Sequence, residues 1–214
     1  MGRTFRCAAI VAILLASQAT AKGQGRPELR LDAETPDPVV THHPLLRDSL
    51  DRISRGSARF REALDSLRQS GRWALVLTPD QIVVTDAFRS RLAAFDQGVL
   101  AEVSPVTRGR SQVDAVLVVI NLPLLERAHE QRNSLPVELH GDIDRIVIHE
   151  VFGHALPYLL AGDLSGQCAD PAPGQRAEEA CAIQRENAVR AELGLGRRTD
   201  AGLFGLSLAW RGRH

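Results

Sequence analysis

The residues with the most chemistry in this chain are His149, Glu150 and His154, set within His149-Glu150-Val151-Phe152-Gly153-His154. A neutral imidazole offers one ring nitrogen to a divalent metal, and two imidazoles with one carboxylate form the donor set of a catalytic zinc site, which keeps a position open for water. A carboxylate beside that position takes the water's proton and hands it to the leaving group. The trio therefore reads as two metal ligands, His149 and His154, with Glu150 as general base. The chemistry this implies is hydrolysis at a carbonyl, with zinc as cofactor. A third ligand is expected from the acidic segment that follows, where Glu178, Glu179 and Glu186 are all available. A carboxylate left over from ligation has a use in holding the distal nitrogen of a ligating histidine. Tyr158, Arg190 and His140 are the candidate donors to an oxyanion.

The spacing makes a structural demand. On a regular helix, side chains four apart lie about 40° apart around the axis and side chains five apart about 140°. An HExxxH sequence on such a helix points its two histidines away from each other. They meet only if the turn takes in one extra residue, as a π-bulge does. Gly153 tolerates unusual backbone angles and close approach. Pro157 has no N–H to give the Gly153 carbonyl in the i−4 pattern, so the ladder is weakened where a wider turn is needed.

The hexapeptide resembles the HExxGH signature of the dipeptidyl-peptidase III metallopeptidases, whose two histidines bind zinc and whose glutamate is catalytic. That family carries a later EExxAE or EExxAD signature, and Glu178-Glu179-Ala180-Cys181-Ala182-Ile183 matches it in part. The resemblance implies Glu179 as the third ligand and a peptide or protein as substrate. The order of strand, histidine helix, loop and a helix containing Glu186-Asn187 looks like the compact secreted effector metallopeptidases related to bacterial NleD. That similarity covers about the last half of the chain and implies a zincin-like domain.

These residues need elements to hold them. Apolar residues at helical spacing from Leu46 to Leu67 predict a helix or helix pair broken near Gly56, and Gly71 ends the run. Trp73–Thr78 and Ala115–Ile120 read as strands, with further strand candidates at 81–85 and 98–103 and a short helix at 87–95. Thr107–Ser111 reads as an exposed loop and Leu124–Arg132 as a short helix or lid. A helix is expected to begin after Leu139-His140-Gly141, with Asp142 at its start, and another to run from Arg176 to about Leu193. Residues 199–210 read as a strand or packed tail. The sum is an α+β class: a small mixed sheet with a distorted active-site helix in a single domain over 45–214.

The N-terminus carries Arg3 and Arg6, a short apolar run and Ala19-Thr20-Ala21, which reads as a signal peptide over 1–21 and implies export to a periplasmic or secreted destination. Residues 22–44, with four prolines, read as an extended lead-in. Cys7 would leave with the signal. Cys168 and Cys181 then remain as a disulfide pair, two free thiols or soft metal ligands. The 26 basic and 26 acidic side chains balance, and no basic tract follows the signal, which argues against nucleic acid as a partner. No later stretch reads as a membrane span. The competing function is a metal-stabilised interaction domain without turnover, whose site a fourth protein ligand would close. A metal-free fold would leave the two histidines pointing apart.

Overall fold

A four-stranded sheet with strand order β1-β2-β4-β3 carries the helices on the face where the main core lies. The computed structural model describes residues 37–81, 100–108, 112–161, 168 and 176–198. Strand β1 (Val39–Val40) runs parallel to β2 (Trp73–Leu77), and β2 runs parallel to β4 (Gln112–Ile120). Strand β3 (Ala101–Arg108) closes the sheet antiparallel to β4, with a register shift at Val106/Thr107. The class is α+β with a small mixed sheet, as the strand and helix patterns imply.

Successive strand side chains point to opposite faces. Ala74, Val76, Val116, Val118 and Ile120 enter the main core, whereas Leu75, Leu117 and Val119 form a second cluster with Val40, Trp73 and Leu77. The near-continuous apolar run of β4 is thus explained by burial on both faces.

Helix α1 (Pro44–Gly56) begins with a proline, whose fixed φ suits a first helical turn. It buries Leu46, Ser49 and Ile53 on one stripe. Ser57 is extended and separates it from α2 (Ala58–Ser70), capping the second helix by accepting from the Phe60 N–H at 3.1 Å. Gly71 at φ 67° ends α2 in the left-handed conformation. Gly56 packs where the helix Ala177–Glu192 ends: a Cβ there would run into Leu193 Cδ2. Nearby, Ser57 Oγ donates to Glu192 at 2.6 Å.

Helix α3 (Leu122–Arg132) leads into α4 (Pro136–Val147), a π-helical segment (Ile148–Ala155) and α5 (Leu156–Ala161), and α6 (Ala177–Glu192) packs against the π segment. Cys168 and Cys181 are joined as a disulfide, so neither sulfur is a soft metal ligand.

Several expectations are corrected. The lead-in over 22–44 is not wholly irregular: Val39 and Val40 pair with Ala74 and Leu75, because an apolar pair beside an open parallel edge completes its backbone hydrogen bonds there. The domain therefore starts before 45. Helix α4 does not begin after Gly141. It starts at Pro136, with Glu138 accepting from the Leu135 N–H at 3.0 Å, and passes through Gly141. Asp142 is then a mid-helix residue, facing His129 Nε2 at 3.0 Å and Arg145 at 3.1 Å. Thr107 and Arg108 continue β3 rather than forming a loop. Pro79–Gln81 is a 3-10 turn. The predicted elements at 82–85, 87–95 and 199–210, the rest of the 107–111 loop and the signal peptide lie outside the described residues. Among the described residues, no helix is long and apolar enough to cross a membrane.

Candidate metal centre

The wide turn demanded by the HExxxH spacing is present. Ile148–Ala155 is π-helical, and the Leu156 N–H reaches the Val151 carbonyl, five residues back. His149 and His154 consequently fall on the same side. Their rings stand nearly perpendicular at 85°, and the two Nε2 atoms converge to 3.3 Å.

Two omissions in the sequence lie at this turn, and α6 answers both. A Cβ on Gly153 would lie 3.0 Å from Ala182 Cβ and 3.2 Å from Ala182 Cα and carbonyl oxygen, so the missing side chain lets α6 come close. The φ of Gly153 is not positive, so its role is proximity rather than an unusual backbone angle. The Gly153 carbonyl, which Pro157 cannot serve, accepts from Arg185 Nη1 at 3.1 Å.

The contact with α6 settles which glutamate goes where. Glu179 and Glu186, two helical turns apart, lie on the side facing His149. Glu179 Oε2 is 3.4 Å from His149 Nε2, and Oε1 is 3.7 Å from His154 Nε2. Glu186, fully buried, sits at the opposite nitrogen, with Oε2 3.1 Å from His149 Nδ1. Two carboxylates thus bracket one imidazole. Glu178 turns aside to Arg176 at 3.4 Å. Arg176 also pairs with Glu179 at 3.1 Å. Glu179 keeps 24 % of its side chain exposed against 5 % for His149 and 9 % for His154, so solvent reaches the cluster from the Glu179 side.

The donor set fits a small divalent ion. With zinc–nitrogen bonds of about 2.0–2.1 Å, tetrahedral geometry separates neighbouring ligand atoms by about 3.3–3.4 Å. The 3.3 and 3.4 Å separations match, and the 3.7 Å one is slightly wide. Among the described residues His149, His154 and Glu179 form the one grouping of this kind. With the proton of His149 on Nδ1, toward Glu186, its Nε2 lone pair is left facing the cluster.

The charges around the metal-free cluster have clear directions. Burial disfavours a charged His149, but hydrogen bonds to Glu179 and Glu186 outweigh it and raise its pKa to about 9. Burial, reinforced by the positive His149, lowers His154 to about 4. The hydrogen bond from His149 lowers Glu179 to about 2 against its partial burial. Glu150 is buried, which lifts its carboxyl to about 7 despite the opposing charge of His149. Among the described residues Glu150 makes no hydrogen bond or ion pair, unlike Glu179 and Glu186.

The expected oxyanion donors are placed elsewhere. Arg190 is buried, and its donors are taken by Glu186 Oε1 at 3.0 Å and the Gly196 carbonyl at 2.7 Å, so it holds Glu186 rather than facing an open site. Tyr158 lies on α5, half-buried against the main core, and among the described residues it makes no hydrogen bond to the cluster. His140 lies on α4. Two further residues join the site without a sequence signal of their own. Arg185 serves the Gly153 carbonyl, and Arg198 donates to Glu186 Oε2 at 2.9 Å. Comparison with family models, with curated proteins and with solved structures returns no match to this chain.

Proposed function

We propose that the protein is an exported zinc-dependent peptidase with a zincin-like domain, in which His149, His154 and Glu179 hold the metal and Glu150 is the general base. The observation that carries this reading is the π-helical turn, which converges two imidazole nitrogens at 3.3 Å beside Glu179. A regular helix would part the histidines, so the distortion has no evident purpose in a fold without metal.

Zinc bound there would acidify a water and polarise a substrate carbonyl. Glu150, buried next to His149 and making no hydrogen bond or ion pair among the described residues, is the carboxylate left to take a proton from water and return one to the leaving amine. Glu186 keeps His149 oriented through Nδ1. The exposed flank of Glu179 is the side from which substrate would enter. A disulfide at Cys168–Cys181 suits an oxidising compartment, in keeping with the signal-like N-terminus. The rival reading, a closed structural site, needs a fourth protein ligand. The described residues group three donors, with both cysteines consumed.

The test compares the purified protein with Glu150→Gln for bound zinc and for digestion of a protein mixture. Retained zinc with cleavage lost by at least about a hundredfold is expected, within the usual weight of a general base. Failure to take up zinc after metal stripping and zinc addition would refute the assignment.

A further inference from the structure

We propose that Arg198 is a positioning residue for His149, acting through Glu186, and that Asn187 exists to set Arg198 in place; the effect on metal affinity rests on the zinc reading above, whereas the effect on the His149 ring does not.

A buried carboxylate is tolerable only when its oxygens are satisfied. Arg190 meets part of that need at Oε1 from one turn along the same helix, as ordinary i,i+4 geometry allows. Arg198 has no such local reason to be there. The chain leaves α6, turns through Gly194 at φ 68°, and doubles back before Arg198 arrives at Oε2. Among the described residues three side-chain hydrogen bonds secure this return. Asn187 Oδ1 accepts from the Arg198 N–H at 2.7 Å, and Asn187 Nδ2 donates to the Arg198 carbonyl at 2.7 Å. Arg190 Nε donates to the Gly196 carbonyl on the way, also at 2.7 Å. The adjacent pair Glu186-Asn187 thus divides the work, one side chain gripping the imidazole and the other gripping the backbone of the residue that grips the first.

The consequence falls on His149. Arg198 Nη1 lies 2.9 Å from Glu186 Oε2 and 3.2 Å from His149 Nδ1, and that same oxygen is 3.1 Å from Nδ1. A guanidinium only donates, so Arg198 takes one lone-pair direction of Oε2 and leaves the other aimed at Nδ1. Oε2 held in this way accepts the imidazole proton on Nδ1 and leaves the Nε2 lone pair toward His154 and Glu179; the 3.2 Å approach of Arg198 Nη1 to a protonated Nδ1 brings two donors together and adds no hydrogen bond, so Arg198 acts through Oε2 alone. With Arg198 removed, Oε2 swings free in its plane and the ring loses a neighbour on its Nδ1 edge.

The test uses two readouts on the full chain. One is zinc affinity, measured by competition with a chromophoric chelator. The other is the exchange-protected Nδ1–H proton of His149, observed by NMR in metal-stripped protein. Arg198→Ala is expected to weaken zinc binding by about 10–100-fold and to abolish the protected proton signal. Arg198→Lys should recover part of both, since an ammonium supplies one donor to Oε2. In a Glu186→Gln background, Arg198→Ala should add less than about threefold, because both act along one path. Asn187→Ala, which keeps the guanidinium but frees its backbone, should shift both readouts the same way by less; it and the lysine variant carry the test if Arg198→Ala does not fold. Unchanged affinity and an unchanged Nδ1–H signal in folded Arg198→Ala, or full additivity with Glu186→Gln, would overturn the proposal. A wild-type protein that ignores zinc yet shows the expected NMR changes would sink the metal reading and leave the positioning role standing.

Discussion

Gly153→Ala probes the joint between the π-helical turn and α6 most directly. The new Cβ would stand 3.0 Å from Ala182 Cβ and 3.2 Å from Ala182 Cα and carbonyl oxygen. Unstrained contacts between such atoms lie at about 3.5–4.0 Å, so the two segments must part by about 0.5 Å. Two of the three contacted atoms belong to helix backbone, which cannot rotate out of the way as a side chain would. Overpacking of this kind destabilises by about 1–3 kcal/mol, while replacing glycine by alanine in helical backbone returns about 1 kcal/mol. A net loss of about 0–2 kcal/mol is expected in denaturant unfolding. The candidate metal site should suffer more than the fold. Helix α6 carries Glu179 and Glu186, and a displacement of about 0.5 Å exceeds the roughly 0.2 Å within which metal–ligand distances are held. Chelator competition should therefore show zinc bound at least about tenfold more weakly, a larger effect than the stability change alone implies. Adding Ala182→Gly removes the 3.0 Å contact but leaves the backbone ones, so rescue should be partial. If Gly153→Ala instead stabilises the protein by about 1 kcal/mol and binds zinc as before, the close-approach reasoning fails.

Two further outcomes follow from the same geometry. In metal-stripped protein the raised pKa of His149 contributes stability that is full below 6.5 and is lost as pH climbs through about 9, so urea midpoints should fall across that window. Zinc competes with the same proton, so its apparent affinity should rise over that window, and a flat profile for both quantities would contradict the placement of His149 between Glu179 and Glu186. Breaking the Cys168–Cys181 disulfide, which spans 13 residues, should lower unfolding free energy by about 3 kcal/mol. Because Cys181 is buried next to Ala182, the disruption should also weaken zinc binding; unaltered affinity in the Cys168→Ser/Cys181→Ala protein would show that the crosslink does not brace the ligand helix.

Elements set by local pattern were readable from the chain. Leu46 to Leu67 gave its helix pair, and β4 its central strand, because burial follows period and apolar run length. What escaped depended on partners distant in sequence. Val39 and Val40 become a strand only because β2 offers an open edge. Gly141 reads as the residue just before a helix start, yet a glycine is tolerated inside α4, where Pro136 and Glu138 supply an earlier start. Arg190 was legible as a functional side chain, but its direction was not. The i,i+4 pair with Glu186 competes with any role at an open site and wins, since a fully buried carboxylate must be matched. Arg198 gave no pattern at all, since its link to Glu186 closes only after the chain has turned back.

The cluster of His149, His154 and Glu179 lies between these cases. The sequence around His149 showed that the helix had to widen, but nothing within that segment could say what would hold it wide. Gly153 removes a side chain and Pro157 removes a donor, and each deletion alone would weaken the fold. Helix α6 compensates for both, filling the first gap with Ala182 and answering the orphaned carbonyl with Arg185. The same helix delivers Glu179 to the Nε2 side of His149 and Glu186 to the Nδ1 side. The distorted turn and the carboxylate helix therefore specify one another. Losing the close contact removes the support for the distortion, and losing the distortion leaves Glu179 with a single histidine to face.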